Sequence, residues 1–178
     1  MKIEREGALL RVTLDRLLST EHCIALVAAV NDAEANAVLI ESTGQLFCGG
    51  LEPGAGTGAL FDASTWRGRP VVAAVQGPAI DEGVALMACA HVVVAAQGSS
   101  FALTSMRKGV FPQACYDALA RAIGSRRALE VTLTARAFTT VDAINWGLIH
   151  HVAPAFEFDD RANAIAMALA QVRVDLPR

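Results

Sequence analysis

Arg69-Pro70-Val71-Val72-Ala73-Ala74-Val75-Gln76-Gly77-Pro78-Ala79-Ile80-Asp81-Glu82-Gly83-Val84-Ala85-Leu86 is the stretch on which the fold turns. Val71 to Val75 is apolar without alternation, the signature of a strand covered on both faces. Gln76-Gly77-Pro78 closes it, and helical spacing resumes over about 83–90, with Asp81 and Glu82 at its start, where the helix dipole favours acids. The same grammar extends in both directions. Residues 2–6 and Ala8–Leu14 read as two strands joined by a turn at Gly7. Glu21 to Asn36 has helical spacing, with Ser19 or Thr20 to cap it. Ala37–Glu41 is a second buried strand, and it runs into a Gly-rich loop over 42–60. Val92–Ala95 is a strand, Phe101–Leu103 is short and extended, and His150-His151 ends a further strand. Helices are expected over 113–123, 125–134, 140–146 and 159–172. Buried strands alternating with helices define an α/β fold.

Composition narrows the possible partners. Fifteen Lys and Arg against eighteen Asp and Glu leave a net charge of −3 over 178 residues, which argues against nucleic acid and anionic membrane surfaces. With 53% hydrophobic residues, 19% charged and a mean hydropathy of +0.39, the chain is no disordered tail. The length suits one domain, expected to span 1–178. The four cysteines are too scattered for a disulfide scaffold or a metal knuckle, so no metal site is expected. The opening Met1-Lys2-Ile3-Glu4-Arg5 is charged and strand-like rather than a signal peptide. The apolar stretch Val84–Ala96 is broken by His91 and is too short to span a bilayer. A cytoplasmic protein with reduced thiols is expected.

Several motifs carry less than they suggest. Gly54-Ala55-Gly56-Thr57-Gly58-Ala59 fits a loose dinucleotide pattern, but it follows Pro53, lies a dozen residues past its strand and lacks a downstream acid. It reads as a loop. Ser99 and Ser100 sit on no nucleophile elbow and read as turn residues. Adjacent His150 and His151 on a strand face opposite ways, against a shared metal. His91 reads as a satisfied core histidine.

Three segments together carry a resemblance. They are Ala37-Val38-Leu39-Ile40 with Phe47-Cys48-Gly49-Gly50-Leu51; the stretch Arg69–Leu86; and Phe101 through Gly109-Val110-Phe111-Pro112 to Ala143-Ile144-Asn145-Trp146-Gly147-Leu148-Ile149-His150-His151-Val152. In this order and spacing, over residues 3–155, the chain resembles the enoyl-CoA hydratase/isomerase (crotonase) superfamily. Its third segment is similar to the group that acts in polyketide β-branching. The resemblance implies a crotonase-like ββα spiral, shortened at the C-terminus beyond a helix at about 159–172, and a homotrimer or hexamer. It implies an acyl thioester, carried on coenzyme A or on the phosphopantetheine of an acyl carrier protein, with no other cofactor. It further implies an oxyanion hole built from the backbone N–H groups of Leu51 and Glu82. Gly49, Gly50, Gly83 and Phe111 would border the substrate. Gly-rich turns after buried strands suit this role, because they leave N–H groups open to a ligand.

The chain also departs from that family. The two glutamate positions of hydratases fall at Ala85 and Ser105, and the acid used by some isomerases and dehalogenases falls at Gln113. Ala85 cannot titrate, and Ser105 and Gln113 only hydrogen-bond, so hydration by two glutamates is not expected. Asp81-Glu82 stands where the family has Gly-Gly. Either acid is a relocated acid–base group, a solvated residue of the helix start, or part of a degraded site. Met106-Arg107-Lys108 is a candidate cation for a carboxylate or phosphate, or a surface turn. Cys115 and Tyr116 are candidate proton donors or core residues. The segment between Leu14 and Glu21 is short and few basic groups remain for coenzyme A phosphates, which favours a carrier-protein thioester. Dehydration, hydration or decarboxylation through an enolate is the expected chemistry. A catalytically silent binding or assembly protein is the alternative.

Overall fold

The structure is a computed structural model that describes residues 1–174 and 176. Of the expected span 1–178, positions 175, 177 and 178 lie outside the described residues. In chain order the elements are β1 (Lys2–Glu6), β2 (Leu9–Leu14), α1 (Thr20–Val30), β3 (Ala37–Ser42), β4 (Val71–Val75), β5 (Ala79–Ile80) and α2 (Glu82–Cys89). There follow β6 (Val92–Ala96), β7 (Ser100–Ala102), α3 (Gln113–Ile123), α4 (Ser125–Thr134), β8 (Phe138–Thr139), α5 (Thr140–Asn145), β9 (His151–Ala153) and α6 (Ala155–Ala170).

The main sheet has the order β1-β2-β3-β4-β6-β9. Its first pair is antiparallel and every other pairing is parallel. The central strands are buried on both faces, hence their unbroken apolar runs. Val38 and Ile40 of β3 enter one core, with α1, α2 and α3, while Ala37 and Leu39 enter the other. The second core is closed by α6, whose Phe158, Ala162, Ala166 and Ala170 recur every four residues and lie on one helix face. That small-residue face lets the helix sit close to Leu39, Val72 and Val94. A smaller sheet has the order β5-β7-β8. It is pinned by packing of Phe101 on Phe138, with ring centroids 5.4 Å apart, and by a bridge from Cys48 to Ala79.

Two histidines stitch the parallel strands at their starts. His91 precedes β6; its N–H donates to Val71 O at 2.9 Å and its Nδ1 accepts the Val71 N–H at 3.0 Å. His150 precedes β9 and repeats the pattern on Val93, with both bonds at 3.0 Å. His91 is thus a satisfied structural histidine.

Local chemistry moves several expected boundaries. Helix α1 stops at Val30 rather than Asn36, because Asp32 Oδ1 accepts the N–H groups of Glu34 and Ala35, both at 2.8 Å. This turn competes with continued helix. Gly147–Ile149 is not strand: the N–H groups of Leu148 and Ile149 fold back to Ala143 O at the end of α5, so β9 begins at His151 instead of ending there. Helix α6 occupies 155–170 rather than 159–172. The two-residue strands β5 and β8 have no sequence pattern of their own.

Candidate active site

The site forms where the 42–60 loop meets the start of α2. Leu18 N–H donates to Gly50 O and Glu52 N–H to Leu18 O, both at 2.9 Å. Along an extended segment successive N–H groups point to opposite sides, so the Leu51 N–H faces away from Leu18. Gly50 turns the chain there at φ +105°, a region that glycine enters freely. On the other wall, Ile80 N–H donates to Cys48 O and Asp81 N–H to Ala102 O, both at 2.9 Å. Glu82 then opens α2, in the first turn where a helix supplies no carbonyl for its N–H groups. The two walls touch at Gly83: a Cβ there would lie 2.6 Å from Cys48 O, so no larger residue fits.

What lies between these two donors is the side chain of Glu82 itself. Its carboxyl lies near its own backbone N–H and that of Leu51, both of which favour the ionised form. Oε2 rests against Gly50, 3.0 Å from the position a Cβ would take there. Oε1 accepts the Cys115 thiol of α3 at 3.6 Å. Burial raises the carboxyl above its ordinary value and the charge of Asp81 adds to this, while the two N–H groups and Cys115 oppose it. Neutral thiols surround it. Burial pushes Cys23 up to about 11 and Cys48 up to about 12, and raises Cys115 as well; the charge of Glu82 contributes to all three.

Asp81 has a different task. It sits at φ +46°, ψ −103°, where a side chain is strained. Its carboxylate accepts the Thr104 N–H and O–H, each at 2.7 Å, and the Ser105 N–H at 3.2 Å. These three bonds clamp β5 to the 3-10 turn Ser105–Lys108. Neither acid is a solvated residue of the helix start, which corrects that reading. Both carboxylates are half-buried, because the turn folds them inward, Asp81 onto the Thr104 and Ser105 N–H groups and Glu82 onto the Cys115 thiol beside Gly50.

The structure therefore brings Leu51, Glu82, Gly50 and Gly83 together, with Asp81 and Ser105 joined one layer behind. Gly49 lies in the same loop, its N–H donating to Arg16 O at 2.8 Å. Gln113 and Phe111 are occupied elsewhere: Gln113 Nε2 donates to Asp117 at 2.9 Å, and the Phe111 ring packs on Tyr116 at 5.4 Å. Gln113 does line a pocket of about 360 Å³ with Thr57, Phe61, Asp117 and Arg121. Arg107 is tied to Ala135 O at 2.8 Å. Ala85 is buried in α2. Sequence reasoning missed Thr104, the partner of Asp81, and Leu18, which orients Leu51; neither belongs to a motif. Among the described residues no cluster of three or more His, Cys, Asp or Glu could hold a metal, and no helix is long and apolar enough to cross a membrane.

A Gly-rich loop meeting a helix start, with the Glu82 carboxyl between them, defines an α/β scaffold whose site lies at that junction. Residues 10–175 match the enoyl-CoA hydratase/isomerase family, and the chain belongs to that family, in the crotonase superfamily. It is 30% identical to enoyl-CoA hydratase EchA19 of Mycobacterium tuberculosis, over 94% of this chain and 72% of that protein. It is also 30% identical to a probable enoyl-CoA hydratase of Rhodobacter capsulatus, over 96% and 75% of the two chains. An enoyl-CoA hydratase/isomerase family protein from Silicibacter pomeroyi superposes with a TM-score of 0.85 at 26% identity, over 98% of this chain and 84% of that one.

Proposed function

We propose that this chain acts on an acyl thioester by holding an enolate oxygen on the N–H groups of Leu51 and Glu82, with the Glu82 carboxyl as the acid–base group. One observation carries the reading: the Glu82 carboxyl lies between the two walls, with Oε2 against Gly50 and Oε1 on the Cys115 thiol, next to the Leu51 and Glu82 N–H groups that favour its ionised form. A thioester oxygen held there gains the stabilisation that two aligned donors give a developing charge. Burial lifts the Glu82 carboxyl toward the range useful for proton transfer. Asp81 is committed to Thr104 and Ser105, and Ala85, Ser105 and Gln113 bring no acid. A single acid–base group favours chemistry that moves one proton at the α-carbon: dehydration, isomerisation, or protonation after decarboxylation. Hydration by paired carboxylates is not supported.

The thioester is an acyl group on coenzyme A, as the names of the relatives suggest, or on the phosphopantetheine of an acyl carrier protein. The scarcity of basic groups and the third sequence segment support the carrier protein, in polyketide or related secondary metabolism. The chain acts in this reading as a homotrimer or hexamer in the cytoplasm. Exposed Leu129, Leu133, Val141 and Ile144 on α4 and α5 support an interface. A specific observation also favours the silent-protein reading: the hole is filled by the chain's own side chain.

The deciding experiment incubates the protein in deuterium oxide with 3-hydroxyacyl, enoyl, 3-methylglutaconyl and 3-hydroxy-3-methylglutaryl thioesters, on both carriers, and follows mass. Loss of water, loss of carbon dioxide or deuterium uptake at the α-carbon is expected on at least one substrate. Binding without any change in mass overturns the enzyme reading and leaves the binding protein.

A further inference from the structure

We infer that Glu82 is the resting occupant of the oxyanion hole, and that a thioester carbonyl enters only by exchange with the Glu82 carboxylate. This rests on the thioester reading above and adds how that site is entered. The geometry leaves little choice. Oε2 is pressed against Gly50, the residue that aims the Leu51 N–H, and Oε1 is held by Cys115. A thioester oxygen bonded to the Leu51 and Glu82 N–H groups needs the space beside Gly50 that the carboxylate now fills.

Exchange has a consequence for protons. The groups facing Glu82 are Asp81 in its own turn, Cys23 of α1, Cys48 of the loop and Cys115 of α3. The three thiols are neutral and Asp81 repels a second negative charge, so among the described residues that face Glu82 no cation receives the displaced carboxylate. Moved away from the two N–H groups that favour its ionised form, the carboxyl takes up a proton as it leaves. Thioester binding by the free protein is therefore coupled to proton uptake and strengthens as pH falls. The displaced acid then carries its proton beside the hole, where an enolate would accept it.

The test uses two readouts. The first needs no thioester: the amide resonances of Leu51 and residue 82 are followed through a pH titration. Both are expected to move together with the Glu82 carboxyl in the wild type, and the Leu51 amide to stay flat in Glu82→Ala. A Leu51 amide that ignores pH in the wild type overturns the inference. The second measures binding of butyryl-coenzyme A by calorimetry. Glu82→Ala is expected to bind about ten- to a hundredfold more tightly, since a hydrogen-bonded charge no longer competes, and to lose the pH dependence. Equal or weaker binding by Glu82→Ala, or wild-type affinity independent of pH, overturns it. Absence of binding to both proteins, with the amides titrating as expected, overturns the thioester reading and leaves the occupied hole intact.

Discussion

At the starts of strands β6 and β9, His91 and His150 each accept a backbone N–H from the neighbouring strand; at the start of α2, the Glu82 carboxyl lies near two, its own and that of Leu51. Both regions place a side-chain acceptor beside donors that secondary structure leaves open. The chemistry differs. The imidazoles accept through Nδ1 only while neutral, and burial, aided at His150 by His151, lowers their affinity for a proton. They replace carbonyl oxygens that the parallel ladder lacks at its ends. The Glu82 carboxyl instead lies against Gly50 and the Cys115 thiol, beside N–H groups that favour its ionised form, while burial opposes it. The first arrangement completes the fold, whereas the second fills a position that a ligand can take. The contrast separates structural from functional use of one device, and each prediction below tests it.

The largest effect is expected at the donor itself. Glu82→Pro removes the helix-start N–H at a position where proline suits a helix. Because Glu82→Pro also removes the carboxyl, it is compared with Glu82→Ala, which loses the carboxyl but keeps the N–H: turnover of whichever thioester the panel identifies should fall a further ~10²–10³-fold, the loss typical of one oxyanion donor. A preserved far-ultraviolet circular dichroism spectrum separates this from unfolding, and turnover equal to that of Glu82→Ala removes Glu82 as donor. Next is Gly83→Ala, whose added methyl meets the Cys48 carbonyl at 2.6 Å. Backbone must shift, and overpacking of this kind costs about 1–3 kcal/mol in urea denaturation. A neutral result means the loop and α2 are not held in contact.

The histidine side of the comparison breaks differently. His91→Ala leaves the Val71 N–H without its acceptor, at about 1–3 kcal/mol. His150→Ala should cost less, because the more exposed His150 allows water to replace it. The pH sign follows from the lowered proton affinity of both folded histidines. The unfolded chain takes up protons first as pH falls below about 6.5. Stability is thus complete above that value and declines as pH drops toward the folded values. Urea midpoints measured across that range should fall in the wild type and be flatter in the double substitution His91→Gln/His150→Gln. Equal slopes mean the imidazoles do not set the acid sensitivity.

Much of this was legible in the chain, for reasons specific to particular residues. Val71–Val75 and Ala37–Glu41 announce buried strands because both faces are covered and no polar alternation interrupts them. Gly50 and Gly83 mark the hole because glycine enters φ +105° without strain and leaves room for a carbonyl that a Cβ would meet at 2.6 Å. What stayed hidden depends on tertiary partners. The end of α1 is set by a side chain, Asp32, accepting from its own loop. The starts of β6 and β9 are written by histidines whose acceptors are chosen by a distant strand. Asp81 and Glu82 are adjacent and chemically alike, yet one folds onto Thr104 and the other onto Leu51. No local pattern distinguishes them, because the distinction belongs to which donors the two sheets leave open.

That last difference yields the smallest effect and a sensitive test of the two acids. Asp81 is held at φ +46° by three hydrogen bonds to Thr104 and Ser105. Asp81→Ala loses the bonds and keeps a Cβ in a strained conformation. Asp81→Gly loses the same bonds but removes the strain, so it should be more stable than the alanine variant by about 1 kcal/mol. Both should lower turnover far less than Glu82→Pro, because Asp81 holds the turn and touches no donor of the hole. A glycine variant no more stable than alanine would show that the backbone at 81 is not strained. A loss of turnover on the scale of Glu82→Pro, with the fold intact, would move Asp81 from the frame of the site into its chemistry.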